Sequence, residues 1–147
     1  QALDWHQLDI PWHSGVQRLV KDLNKLYTST PALYQKDCQP EGFEWLDHEN
    51  AAQSIYSFIR YGDNDATPVI VVCNFTSAVH HDFALGVPVA GVYQALINTD
   101  LAIYQGSGQG NLGIISSENT PWQNQPHRIS ITVPPMATVI FSLQGTD

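Results

Sequence analysis

The hydrophobic rhythm of the chain changes near residue 40, from a repeat of three to four residues to a repeat of two, and that change limits what can fold. Before it, Val16, Leu19, Val20, Leu23, Leu26 and Tyr27 recur at helical spacing. Such spacing lays apolar side chains along one side of an α-helix. Arg18, Lys21, Asp22 and Lys25 fall on the other side. Ser14 followed three residues later by Gln17 reads as a capping box, which predicts a helix over residues 14–27. Thr30-Pro31 reads as an N-cap followed by proline at the first helical position, so a short second helix is predicted from Pro31 to about Tyr34. A stripe this wide needs a surface to lie against, and both the rest of the chain and a further domain could provide one.

After residue 40 the pattern is that of strands. Arg128-Ile129-Ser130-Ile131-Thr132-Val133 alternates, with the aliphatic residues on one face and polar groups on the other, and Val139, Phe141 and Leu143 repeat the pattern. Residues 69–75 are almost continuously apolar, as in a strand covered on both faces. Further strands are predicted at 43–46, 54–60, 82–85 and 91–97. Turn signals separate them at Gly62-Asp63-Asn64-Asp65, Gly86-Val87-Pro88 and Pro134-Pro135. About seven short strands with no helical pattern among them predict a mainly β chain, an antiparallel β-sandwich preceded by one or two helices.

Charge divides the chain at the same place. Residues 1–38 carry four bases and four acids, whereas residues 39–147 hold only Arg60 and Arg128 against ten acids, so the net charge of −8 belongs to the second part. We therefore expect two structural parts, 1–38 and 39–147. A surface of that sign repels phosphate backbones and anionic lipid, which argues against nucleic acid and membranes as partners. No apolar run approaches the roughly 20 residues that span a bilayer. The chain opens on Gln1, and the reading expects an excised piece of a longer polypeptide. Cys38 and Cys73, the only cysteines, read as buried free thiols rather than a disulfide, which favours a reducing compartment.

Several constellations invite chemistry and do not sustain it. Gly108-Gln109-Gly110-Asn111-Leu112-Gly113 matches the dinucleotide fingerprint in its letters, but no helical pattern follows to receive a pyrophosphate, so it reads as a glycine-rich loop. His80-His81-Asp82 is the densest histidine cluster, yet adjacent strand residues point to opposite faces and cannot easily share an ion; no metal site is expected. Glu41, Glu44, Asp47 and Glu49 crowd one segment at a spacing that suits a solvated loop better than a glycosidic acid pair. Asn74-Phe75-Thr76 fits the N-glycosylation triplet, a pattern common by chance. No catalytic residue and no cofactor is assigned. The aromatic residues lead further. Trp5, Trp12, Trp45 and Trp122 occupy loop-like or strand-end positions with polar neighbours. Sugar rings stack their C–H faces on such side chains, although each Trp could equally seal a packing joint. Trp45, between Glu44 and Asp47, is the first candidate for substrate contact, and Trp5 is the second.

A set of strings then carries a resemblance. Leu3-Asp4-Trp5-His6, His13-x-Gly15-Val16-Gln17-Arg18-Leu19-Val20-x-Asp22-Leu23-Asn24, Glu41-Gly42-Phe43-Glu44-Trp45, Cys73-Asn74-Phe75-Thr76, Asn98-Thr99-Asp100, Tyr104-x-Gly106-Ser107-x-x-Gly110-Asn111 and Pro134-Pro135-x-Ala137-Thr138 occur in order. Together they closely resemble the C-terminal region of bacterial glycogen (1,4-α-glucan) branching enzymes of the α-amylase superfamily. The resemblance implies that residues 1–38 finish a (β/α)₈ catalytic barrel and that 39–147 form the C-terminal sandwich. It implies a parent that forms α-1,6 branches in glycogen by retaining glycosyl transfer, is cytoplasmic, and needs no cofactor. The catalytic acids of such enzymes lie upstream on the barrel, so this stretch is expected to be an inactive structural or accessory part, its partners being the upstream barrel and α-glucan. An autonomous glucan-binding module, and the C-terminal domain of another enzyme of the superfamily, are the alternatives. One stretch departs from the family's pattern: where most relatives carry prolines and an arginine, this chain reads Ser77-Ala78-Val79-His80-His81-Asp82.

Overall fold

Among the described residues a 3₁₀ turn at Trp5–Asp9 leads into a single long helix, α1 (Pro11–Ser29), and eight strands follow. These are β1 (Phe43–Asp47), β2 (Ile55–Arg60), β3 (Val69–Asn74), β4 (His80–Val87), β5 (Val92–Asn98), β6 (Ile114–Ser116), β7 (His127–Val133) and β8 (Thr138–Gly145). The computed structural model describes residues 4–111 and 113–145. Leu3, which opens the family-like strings, and Leu112, inside the glycine-rich run, lie outside the described residues.

The strands form a six-stranded sheet in the order β1-β2-β3-β8-β5-β6 and a two-stranded sheet β4-β7. Every pairing is antiparallel. The expected mainly β, antiparallel architecture is present, with a second sheet of only two strands among the described residues. Between the sheets lies the main core. Ile55, Ile59, Ile70, Val72, Val139 and Phe141 face Leu85, Val87, Ile129, Ile131 and Val133 across it. The alternation of β7 explains its side: Ile129, Ile131 and Val133 are buried, while Ser130 is exposed.

The continuous apolar run of β3 is covered on both faces, as its composition requires. Ile70 and Val72 face the small sheet, whereas Val69 and Val71 join a second core with Ile97, Ile140 and Ala32. Leu19, Leu23 and Leu26 of α1 pack against this second cluster. The helical stripe is therefore divided. Its leucines rest on the chain's own sheet, while Val16, Val20 and Tyr27 remain 59%, 50% and 45% exposed. Of the two covers the stripe could have, the chain's own sheet provides one half, because the leucines sit on the sheet side of the helix and the valines flank them.

Four local expectations also change. The helix begins at Pro11 rather than Ser14, with Ile10 at the N-cap making no side-chain cap bond. Proline suits that first position because its missing N–H would be unpaired there anyway. Ser14 lies inside the first turn and donates its hydroxyl to the Pro11 carbonyl at 3.0 Å, so there is no capping box. The second helix is a 3₁₀ turn, Pro31–Leu33. Cys38 is exposed and Cys73 half-buried, and both are free, so the buried-thiol reading fails for Cys38. The acid-rich segment is no simple solvated loop: Glu44 turns inward from β1 and accepts hydrogen bonds from Tyr61 Oη and Gln125 Nε2, each at 2.7 Å.

The strings at residues 98–111 are the clamp between helix and sheet. The Asp100 carboxylate accepts from Ser107 N–H at 2.8 Å, Ser107 Oγ at 2.6 Å and Gln109 N–H at 3.0 Å, folding the loop around itself. Tyr104, held in a 3₁₀ turn of this loop, donates to Asp22 of α1 at 2.8 Å. A Cβ on Gly15 would come within 2.8 Å of the Tyr104 carbonyl oxygen, so only glycine lets α1 lie this close to the loop. Asn111 ties the far end down by exchanging two bonds with the Thr132 backbone, at 2.7 and 2.8 Å. On the other side of α1, Arg60 bonds the Asp37 carboxylate and the Gly42 carbonyl oxygen, and Tyr27 donates to Asp37 at 3.4 Å.

Candidate functional site

The half-open face of the large sheet carries an aromatic cluster at its β1 edge. Alternate residues share a face, so Phe43 and Trp45 of β1 stand beside Tyr56 and Phe58 of β2, with Trp45 directly opposite Phe58. The Phe43 and Phe58 rings stack at 5.0 Å. Trp45 meets Phe43 edge-on at 4.9 Å and Phe58 edge-on at 5.9 Å. His48 lies 5.5 Å from the Trp45 ring, and Phe75 extends the cluster through Tyr56 at 5.7 Å. The inner rings hold the outer ones in place, yet Trp45 remains 47% exposed and Phe75 62%. His48 borders the indole, and Asp47 and Glu49 are its neighbours along the chain. A fixed ring face next to an imidazole is suited to a neutral polyhydroxy ligand, whose C–H face stacks while its hydroxyls find donors and acceptors.

Trp5 is even more open, at 68%, but it lies on the first 3₁₀ turn and makes no ring–ring contact among the described residues. The two sequence candidates therefore sit on separate elements, and only Trp45 is part of a built surface. Trp12, on α1, is 66% exposed. Trp122 is 45% exposed on a tight turn after β6, a placement that composition alone did not single out.

The titratable groups have structural surroundings. The Arg60 bond holds the Asp37 carboxyl below its ordinary range. Burial, then the bond to Asp22, pushes the Tyr104 phenol up to about 12, and burial does the same for Tyr93. Tyr61 is raised further, by burial and by its bond to Glu44. Burial raises the Cys73 thiol, so it is a core side chain rather than a nucleophile. Among the described residues no group of three or more His, Cys, Asp or Glu side chains could hold a metal, and no helix is long and apolar enough to cross a membrane. Asn74 of the glycosylation-like triplet is buried, donating to the carbonyl oxygens of Ala78 and Pro134 and accepting from Thr76. After the glycine-rich run comes strand β6, with no helix to receive a pyrophosphate.

Residues 45–144 match the family described as alpha amylase, C-terminal all-beta domain. The chain belongs to that family. It is also 45% identical over 98% of its length to the 1,4-alpha-glucan branching enzyme GlgB of Saccharophagus degradans, covering 20% of that protein. The protein of the same name from Rhodospirillum rubrum is 44% identical over 98% of the chain, which covers 19% of it, and that from Aquifex aeolicus is 42% identical over 98%, with 23% covered. The chain thus spans about a fifth of the length of these curated relatives, and the similarity includes α1, which lies before the matched C-terminal all-beta domain.

Proposed function

We propose that this chain is the C-terminal part of a cytoplasmic 1,4-α-glucan branching enzyme, a hexosyltransferase of glycogen biosynthesis. The observation that carries the reading is the identity of about 45% over a match that takes in 98% of the chain, helix included, and only a fifth of its relative. In this reading residues 1–38 complete a (β/α)₈ barrel and residues 39–147 form the accessory all-β domain. The exposed flank of α1, Val16, Val20 and Tyr27, is where the upstream barrel lies. The chemistry belongs to that barrel, and this stretch alone is inactive on glucan. The Trp45 platform contacts α-glucan, with Trp5 a second point of contact nearer the barrel. An acidic chain of this kind has nucleic acid and membranes as poor partners.

Affinity electrophoresis of the chain through a glycogen-containing gel tests the binding part. Retardation by glycogen that Trp45→Ala abolishes is the expected result, because ring–sugar stacking is the main apolar contact available there. Retardation that Trp45→Ala leaves unchanged would remove the platform from the proposal. Formation of α-1,6 branches in amylose by the pure chain would overturn the inactive-part reading.

A further inference from the structure

His80-His81-Asp82, at the start of β4, lines a cleft beyond the end of β1. About 330 Å³ in volume, it lies between the segment after β1, the start of β4 and the turn at Trp122, and its lining includes Asp47, Gln53, His81, Asp82, Trp122 and Gln123. That volume is at the small end of ligand clefts, roughly 300–1,000 Å³, enough for one or two sugar rings rather than a long chain.

Trp122 is held there by unusual means. Its turn closes through paired bonds, Trp122 N–H to Gln125 O at 3.0 Å and Gln125 N–H to Trp122 O at 2.9 Å. Both central residues, Gln123 (φ 49) and Asn124 (φ 60), adopt the left-handed conformation without being glycine. Side chains fix the turn to the sandwich: Gln123 Oε1 accepts from Gly86 N–H at 2.9 Å, and Gln125 donates to the inward-facing Glu44. Gly86 is required for this approach, since a Cβ there would come within 2.5 Å of the Trp122 carbonyl oxygen. A half-exposed indole on so constrained a mount is pre-organised, and strained backbone of this kind is characteristic of ligand sites.

The opposite wall is also shaped by an irregularity. The β4–β7 register slips between His80 and Phe83, so β4 carries one residue more than its partner, and Asp82 takes φ 53. Bulges re-aim side chains in this way beside functional sites. The lining offers two carboxylates, three amides and two imidazoles beside the aromatic residues Trp122 and Phe83. Carboxylates repel anions, whereas amides and carboxylates together accept from and donate to the vicinal hydroxyls of a neutral sugar.

We propose that this cleft is a second α-glucan contact, a subsite for one or two glucose units stacked on Trp122, separate from the Trp45 platform. It rests on the glucan reading above, and the test keeps the two apart. The chain is labelled at its indole N–H groups, the signals are assigned by Trp→Phe variants, and maltohexaose is titrated in. A saturable shift of the Trp122 signal is expected. Loss of one hydrogen bond, in Gln53→Ala or in Asp82→Gly (where φ suits glycine), should weaken that isotherm by about fivefold. A shift at Trp45 with Trp122 unmoved overturns the cleft and leaves the glucan reading standing. Silence at both overturns both. A Trp122 isotherm unchanged in both cleft variants also overturns the subsite, since the sugar would then touch only the rim.

Discussion

The two faces of the six-stranded sheet are built from the same kinds of residue and end in different states. On the inner face, Phe141, Ile59 and Val72 are fully buried beneath β4 and β7, and the seal is complete within the chain. On the outer face, α1 covers the middle through Leu19, Leu23 and Leu26, none of which is fully buried, and the aromatic cluster stays open beside it. The inner face is a self-contained core. The outer face is only partly sealed, shaped by tight local devices such as the residue 98–111 clamp and open along Val16, Val20 and the aromatic cluster. The seal made within the chain is thus complete on one side of the sheet and partial on the other.

Substitutions can break that contrast. The largest effect is expected on the inner face: Phe141→Ala removes a wholly buried ring and should cost about 3–5 kcal/mol of unfolding free energy, read from urea midpoints. That is a large share of the roughly 5–15 kcal/mol a domain possesses. A loss below about 1 kcal/mol would mean that the inner seal is not what holds the chain together.

Next is the clamp. Glycine to alanine inside a helix normally stabilises by about 0.8–1.0 kcal/mol. At Gly15 the new methyl would meet Tyr104 O and Gln105 Cγ at 2.8 and 2.9 Å, so Gly15→Ala should instead destabilise by about 1–3 kcal/mol. A gain in melting temperature would show that α1 does not need this close approach.

The same clamp gives an alkaline signature. The Tyr104 phenol titrates near 12 when folded but near 10 in an unfolded chain, so its contribution is intact below about pH 10. Between those values the unfolded chain releases the proton first, and stability falls as pH rises. Urea midpoints taken from about pH 9 to 11 should decline, and less steeply in Tyr104→Phe. Parallel slopes for the two proteins would separate Tyr104 from that decline.

The smallest change is expected at the open flank. Val16→Ser and Val20→Ser should move the stability of this chain by no more than about 0.5 kcal/mol, since both side chains are largely exposed. In the longer polypeptide the same pair should lower the melting temperature. Equal behaviour in both settings would leave the joint without support.

Much of this fold was readable in the residues, for reasons that differ by element. Seven strands announced themselves, six because one face of each is buried and the sequence records it, and β3 because both faces are. Strand β6 did not: three residues at a sheet edge, with Ile114 exposed, hold too little pattern. The helix was found but its start was misplaced, since Pro11 sets the first turn and Ser14 only imitates a cap. The split of the apolar stripe could not be seen, because periodicity records which residues want cover and not what covers them. Trp45 was singled out by its polar neighbours, and the structure leaves it 47% exposed. The cluster behind it depends on the β1–β2 register, and the Trp122 cleft on a bulge and a left-handed turn, neither of which leaves glycine at the critical position.

The open ends of the large sheet have a further consequence. β1 is a terminal strand, so its outward backbone groups could template a neighbouring copy, and its rings would favour such stacking. Glu41, Asp47 and Glu49 flank it, and the register slips between Trp45 and Asp47. These act as gatekeepers: like charges repel a second copy, and the irregular ladder offers it no matching partner. The surplus of acid in the β part thereby keeps an exposed aromatic margin from becoming the nucleus of a fibre.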